Sequence, residues 1–209
     1  MTFPTATVTQ GSGLTINTLP NAGQATMANS LGVAIASDQS AIPTTSLNSG
    51  AITNPTSVLT RPANTTAYAS GQLIASSTTA GSVVVPSFSI ASAAGGAILP
   101  RIRIRASLSP SSWQGVNLSV NLWSAAPTYT NGDAQPYAVA TGSATWLANY
   151  LVTLTQFGDG AVGAGPLTGA NEMALKLASG TAVYWDLQVL NSATPAAGQT
   201  FTLIPELLN

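Results

Sequence analysis

Between Val116 and Leu122 the chain reads Val-Asn-Leu-Ser-Val-Asn-Leu, apolar and polar residues in strict alternation. A period of two puts Val116, Leu118, Val120 and Leu122 on one face of a strand and Asn117, Ser119 and Asn121 on the other. The pattern returns in Val183-Tyr-Trp-Asp-Leu-Gln-Val189, where Val183, Trp185, Leu187 and Val189 share the inward phase. Residues 98–108, 150–157 and 200–204 follow the same period. Pro86 interrupts a β-branched run over 83–90, as at a sheet edge or a bulge. Residues 73–75 and 137–141 are shorter candidates. Residues 173–177 also alternate, although Asn171-Glu-Met-Ala-Leu-Lys would suit a helical turn.

Turn chemistry separates these runs: Ala94-Gly-Gly, Ser109-Pro-Ser-Ser, Asn131-Gly-Asp and Ser179-Gly, with a longer glycine-rich loop expected from Asp159 to Pro166. Strands of this length and spacing over residues 61–209 predict an all-β, jelly-roll-like β-sandwich. A domain of that size can bury about 68–70% of its unfolded surface, enough for an independent core.

Residues 1–60 read differently. They carry one charged side chain, Asp38, and no Trp or Tyr, and Gly, Pro, Asn, Ser or Thr interrupts every apolar run. Short extended pieces are expected at 14–19 and 31–36. No core can be built from them alone, so the segment reads as an extended N-terminal arm that gains order against something else. Sixty extended residues reach up to about 200 Å.

Composition narrows the function. Five Lys+Arg stand against six Asp+Glu in 209 residues, with no histidine and no cysteine, while Ser and Thr number 50. About 25% charged residues is usual, against 5% here. Without histidine there is no Ser-His-Asp triad and no imidazole base. Without cysteine or histidine no zinc, copper or iron–sulfur site is expected, nor a disulfide. A net charge of −1 lacks the cationic footprint of a nucleic-acid binder. No apolar run reaches the roughly 18 residues of a membrane helix, and the N-terminus lacks the basic and apolar regions of a signal peptide. No cofactor, metal, nucleic-acid or membrane partner is expected, and neither is an enzyme.

Arg101-Ile-Arg-Ile-Arg105 is the sharpest local feature. Period two sets three guanidinium groups on one strand face and Ile102 and Ile104 in the core. With Arg61 they make four of the five cations. Such a stripe is either a solvated face, a docking surface for carboxylates that match the arginine fork, or a small nucleic-acid or glycan contact. In the arm, Met27, Leu31, Ile35 and Ile42 are the apolar candidates for a partner interface. The acids are scattered: Asp133 in a turn, Asp159 in the glycine loop and Asp186 on an outward strand phase. A calcium site at Asp133 or Asp159 would need a denser acidic loop than this. Gly158–Gly169 has no Gly-Lys-Ser or Gly-Lys-Thr and is no phosphate loop. Trp185 is inward and reads as core. Trp113, Trp123, Trp146 and Tyr129 could instead line a glycan groove or an interface.

The stretch Gly23-Gln-Ala-Thr-Met-Ala-Asn-Ser-Leu-Gly-Val-Ala-Ile-Ala-Ser-Asp-Gln-Ser-Ala-Ile-Pro43 resembles a segment of tailed-bacteriophage virion structural proteins that reads TMANS-x-PVVIASDQSAIPV. Gly32 stands where that pattern has Pro, and Val33-Ala-Ile35 replaces its Val-Val-Ile. Leu59-Thr-Arg-Pro-Ala-Asn-Thr-Thr-Ala-Tyr-Ala-Ser-Gly71 resembles the opening of the β domain in such proteins. The two segments hold 34 residues. They occur in capsid cement or decoration proteins and in tail or fibre proteins. The resemblance implies a non-enzymatic decoration protein on the outer capsid surface, partnered by the major capsid protein and by other copies of itself, with a trimer expected. The alternative it implies is a tail-fibre or receptor-binding protein contacting host glycans.

Overall fold

The computed structural model describes residues 9–10, 14–15, 52–90, 97–108, 110–166, 173–175, 177 and 179–208. The chain divides into two units, Met1–Thr44 and Thr45–Asn209. Described in the first are β1 (Thr9–Gln10) and β2 (Leu14–Thr15), an antiparallel pair. Met27, Leu31, Ile35, Ile42 and the extended piece at 31–36 lie outside the described residues.

The second unit is all-β. Its strands in chain order are β3 (Ile52–Thr53), β4 (Ser57–Thr60), β5 (Gln72–Ile74), β6 (Ser87–Ser89), β7 (Ala97–Ala106), β8 (Asn117–Trp123), β9 (Trp146–Thr153), β10 (Thr155–Phe157), β11 (Gly160–Pro166), β12 (Met173–Leu175), β13 (Ala182–Val189) and β14 (Thr200–Leu208). They form two sheets with antiparallel pairing throughout. The first runs β4–β14–β7–β11–β10, with β3 continuing the β4 edge and β12 continuing β11. The second runs β5–β13–β8–β9, with β6 beside the other end of β13. With β3 and β4, β5 and β6, and β11 and β12 each taken as one position, and β10 counted as the continuation of β9, the sheets read first, eighth, third, sixth and second, seventh, fourth, fifth in chain order. That is the jelly-roll interleaving.

The alternations place the core between the sheets. Ile102 and Ile104 on β7, Leu118, Val120 and Leu122 on β8, Val183, Trp185 and Leu187 on β13, and Phe201 and Leu203 on β14 are all fully buried. Trp113, at the end of a helical turn (Pro110–Trp113), stacks edge-on against Phe201 at 5.0 Å, and its indole N–H donates to Gln199 Oε1 at 2.8 Å. Trp185 donates to Ser57 Oγ at 2.8 Å.

Several expectations need correction. The sandwich begins at Ile52 rather than Arg61, because β3 and β4 pair with β14 and Leu59 enters the core. Pro55 and Pro62 bracket β4, which hides a four-residue strand behind turn residues. The glycine-rich stretch after Asp159 is not a flexible loop. It is β11, in register with β7 from Ala161↔Ala106 to Pro166↔Arg101. Glycine is needed because β9 crosses close by: a Cβ on Gly165 would lie 2.5 Å from the Leu151 carbonyl oxygen, and one on Gly163 2.7 Å from that of Thr153. Side-chain alternation cannot reveal a strand that omits side chains to let another backbone pass. Within 173–177, Met173–Leu175 is strand, as the alternation indicates. Within 83–90 only Ser87–Ser89 is strand, at a sheet edge, as Pro86 suggests. Residues 137–141 contribute only an isolated bridge, Tyr129↔Val139. Ser109-Pro-Ser-Ser leads into the helical turn at Pro110–Trp113.

Candidate functional site

On the outward face of the first sheet, cross-strand register builds a row from each pairing. One row joins Ile52, Leu208 and Ile98; the next joins Glu206, Arg101 and Pro166. Then come Ile204, Arg103 and Ala164, and after them Val58, Thr202, Arg105, Val162 and Thr155. The β7–β14 register shifts between Glu206 and Leu208, opposite Leu99 and Pro100. That irregularity keeps Ile98 and the three arginines on one face.

The arginine stripe thus stands in solvent, with Ile102 and Ile104 inward as the alternation requires. Arg101 forks onto Glu206 through Nε to Oε2 at 3.0 Å and Nη2 to Oε1 at 2.9 Å. Arg103 Nε reaches the same Oε1 at 3.1 Å. Arg105 meets Asp159 Oδ1 at 3.2 Å. Asp159 sits at the tip of the β10–β11 turn, where Gly158 takes φ +61°. Beside Arg103 and Arg105 lies an open groove of about 600 Å³, bordered by Ile204, Val162, Thr155 and Phe157. Phe157 is 69% exposed, and Ile52, Val58 and Ile98 are exposed as well.

Arg61 does not belong to this surface, contrary to the expectation of a fourth docking cation. It is buried, with Nη2 2.7 Å from Asp133 Oδ2, and it donates through Nε to the Tyr68 hydroxyl and through Nη1 to the Ala196 carbonyl at 3.2 Å. Asp133 also accepts from Tyr68 at 2.6 Å and from the Ala75 amide at 2.9 Å. A turn residue placed this way is a tie-point between distant segments, not a metal ligand. Burial raises the Tyr68 hydroxyl pKa, with Asp133 adding to the rise.

The outward face of the second sheet is occupied by the chain's own residues. Asp186, in the same register row as Asn121 and Asn149, is buried. Its carboxylate accepts from Tyr129 at 2.6 Å, Trp123 Nε1 at 2.7 Å, Asn121 Nδ2 at 2.8 Å and Tyr137 at 3.0 Å. Tyr129, Tyr137 and Val139 come from residues 124–143, which fold back across β8 and β13 and pack with Leu73, Val83 and Val85. Burial raises the Asp186 pKa, and its four donors act to lower it. Burial and the nearby carboxylate raise both tyrosines. The hub is a buried acceptor satisfied by four donors, a structural arrangement.

The aromatic groove that the glycan-binding alternative requires is not assembled. Trp113 is buried against Phe201, Trp123 and Tyr129 are buried together at Asp186, and of the four residues only Trp146 is open to solvent, at 54%. Sequence reasoning missed the Asp186 hub because its donors come from β8 and from a covering segment distant in the chain. The available signal was Trp123 and Asp186, both on an outward phase next to a Tyr-bearing segment. Among the described residues, no three acidic, His or Cys side chains cluster as metal ligands, and no helix is long and apolar enough to cross a membrane. Compared with known proteins, the chain matches no family model, no curated protein and no solved structure.

Proposed function

We propose that this chain is a non-enzymatic structural protein of a tailed-phage virion, a decoration protein that docks on the outer surface of the capsid through the first sheet's outward face. One observation carries the reading. Among the described residues every exposed charge, Arg101, Arg103, Arg105, Asp159 and Glu206, sits on or beside that one face, while Arg61, Asp133 and Asp186 are buried. In a chain this poor in charge, such placement suits recognition: complementary charges fix register and partner choice, and adjoining apolar residues contribute burial. Copies of the chain are further partners, with a trimer as the expected closed assembly. Attachment stabilises the assembled shell by mass action, because the protein binds that state and not its dissociated subunits.

Co-sedimentation with capsids tests this. Wild-type protein should bind saturably, and the triple variant Arg101→Gln, Arg103→Gln, Arg105→Gln should bind at least tenfold more weakly with a flatter salt dependence. Equal binding by the triple variant would remove the docking face. The N-terminal arm is the second attachment element of this proposal, so removing Met1–Thr44 should leave a folded sandwich with reduced attachment. Light scattering tests self-association, and a single 21 kDa species would exclude it. A glycan array tests the tail-fibre alternative, for which exposed Trp146 is the remaining aromatic support.

A further inference from the structure

Among the described residues the docking face is short of one carboxylate, and the position of the deficit is specific. Arg101 takes both oxygens of Glu206, and Arg103 shares one of them through Nε alone. Arg105 holds a single 3.2 Å contact to Asp159, whose side chain is 82% exposed. Among the described residues three guanidinium groups therefore face two carboxylates, and the least satisfied pair, Arg103 and Arg105, borders the groove of about 600 Å³. Val162 on β11 and Phe157 on β10 give the same groove apolar surface, with Thr155 between them, and Ile204 lines it from β14. A guanidinium with free N–H groups beside an apolar wall matches a carboxylate carried next to an apolar side chain. Phosphate would satisfy the arginines and leave Phe157 and Val162 unmatched.

Resting on the docking reading above, we propose that this groove is the specificity site of the face: it takes an aspartate or glutamate side chain of the partner protein between Arg103 and Arg105, with the partner's neighbouring apolar side chain against Phe157 and Val162. Glu206 is then an internal competitor for Arg103. Neutralising it frees the guanidinium, so Glu206→Gln strengthens binding, which a merely structural ion pair would not do.

The probe is a peptide of alternating valine and glutamate, titrated into the full-length chain labelled with ¹⁵N and followed through the arginine Nε–H and backbone amide signals. Saturable shifts are expected at Arg103 and Arg105, with at least tenfold weakening in Arg103→Gln, partial weakening in Arg103→Lys, and at least threefold strengthening in Glu206→Gln. The same peptide with glutamine in place of glutamate should not saturate. An unchanged amide spectrum away from the site establishes folding of each variant. No saturation by the glutamate peptide, equal binding of the glutamine peptide, equal binding of oligothymidine, or no gain in Glu206→Gln would each overturn the assignment. The two readings fail separately. Arginine-dependent capsid binding without peptide binding removes only the groove, whereas peptide binding without capsid binding removes the capsid role.

Discussion

On the first sheet, Arg101, Arg103 and Arg105 stand in solvent beside Val58, Ile98 and Phe157; on the second, Ser119, Asn121 and Trp123 also point away from the core and are buried. Both sets lie on strands whose opposite faces fill one core. What separates them is cover. Residues 124–143 fold across the second sheet and bring two tyrosine hydroxyls to Asp186, while the described residues place no comparable segment over the arginines. The cover stops short of β9, where Trp146 and Leu151 remain exposed. An outward strand phase therefore means solvent only if no distant segment returns to it, and the chemistry of the two faces follows. A covered face must satisfy each polar group internally. An open face can leave donors for a partner.

Substitutions should divide accordingly. The largest effect is expected for Asp186→Ala, which strands the Trp123, Tyr129, Tyr137 and Asn121 donors in a buried site. At about 1–3 kcal/mol per abandoned group, partly recovered by water, a loss of about 3–5 kcal/mol in chemical denaturation is expected. A loss under about 1 kcal/mol would mean that the cover is not held through this carboxylate. Next is Gly165→Val, on the strand that β9 crosses. Its Cβ would meet the Leu151 carbonyl oxygen at 2.5 Å, so a loss of about 2–3 kcal/mol is expected from displaced backbone. Neutral behaviour in thermal melts would show that β11 does not lie against β9. Tyr129→Phe removes one donor and leaves the ring, with an expected loss of about 1–2 kcal/mol.

The open face should hardly respond in stability. Arg101, Arg103 and Arg105 changed together to Gln, or Phe157→Ser alone, should shift unfolding by less than about 1 kcal/mol, since exposed ion pairs and surface side chains contribute little. A larger loss would mean the face is structural and would erase the contrast with the second sheet. The finest test is proton linkage. Burial lifts the folded pKa of Asp186 above its ordinary 3.8, so the associated stability is complete below that value and declines as pH rises through the lifted one. Wild type should therefore lose ground against Asp186→Asn on going from pH 4 upward. The opposite trend would show that the four donors outweigh burial.

Much of the fold was legible in local order. Period-two runs at 98–108, 116–122 and 183–189 gave the right faces to Ile102, Ile104, Leu118, Leu122, Trp185 and the arginine triplet, because alternation and burial share one cause. Among the strands that escaped notice were β3 and β4, very short and set beside prolines, and β11, whose glycines make room for β9. Of the candidate site, the arginine stripe was visible. The removal of Arg61 from it was not, because Asp133 and Tyr68 approach only after the chain has folded.

The sequence by itself determined that this would be a sparsely charged all-β sandwich without imidazole or thiol chemistry, since composition and a two-residue period are properties of neighbouring residues. Tertiary structure alone decided which outward side chains meet water. That outcome depends on segments tens of residues apart returning to the same sheet, and on whether burial there leaves every donor and acceptor with a partner.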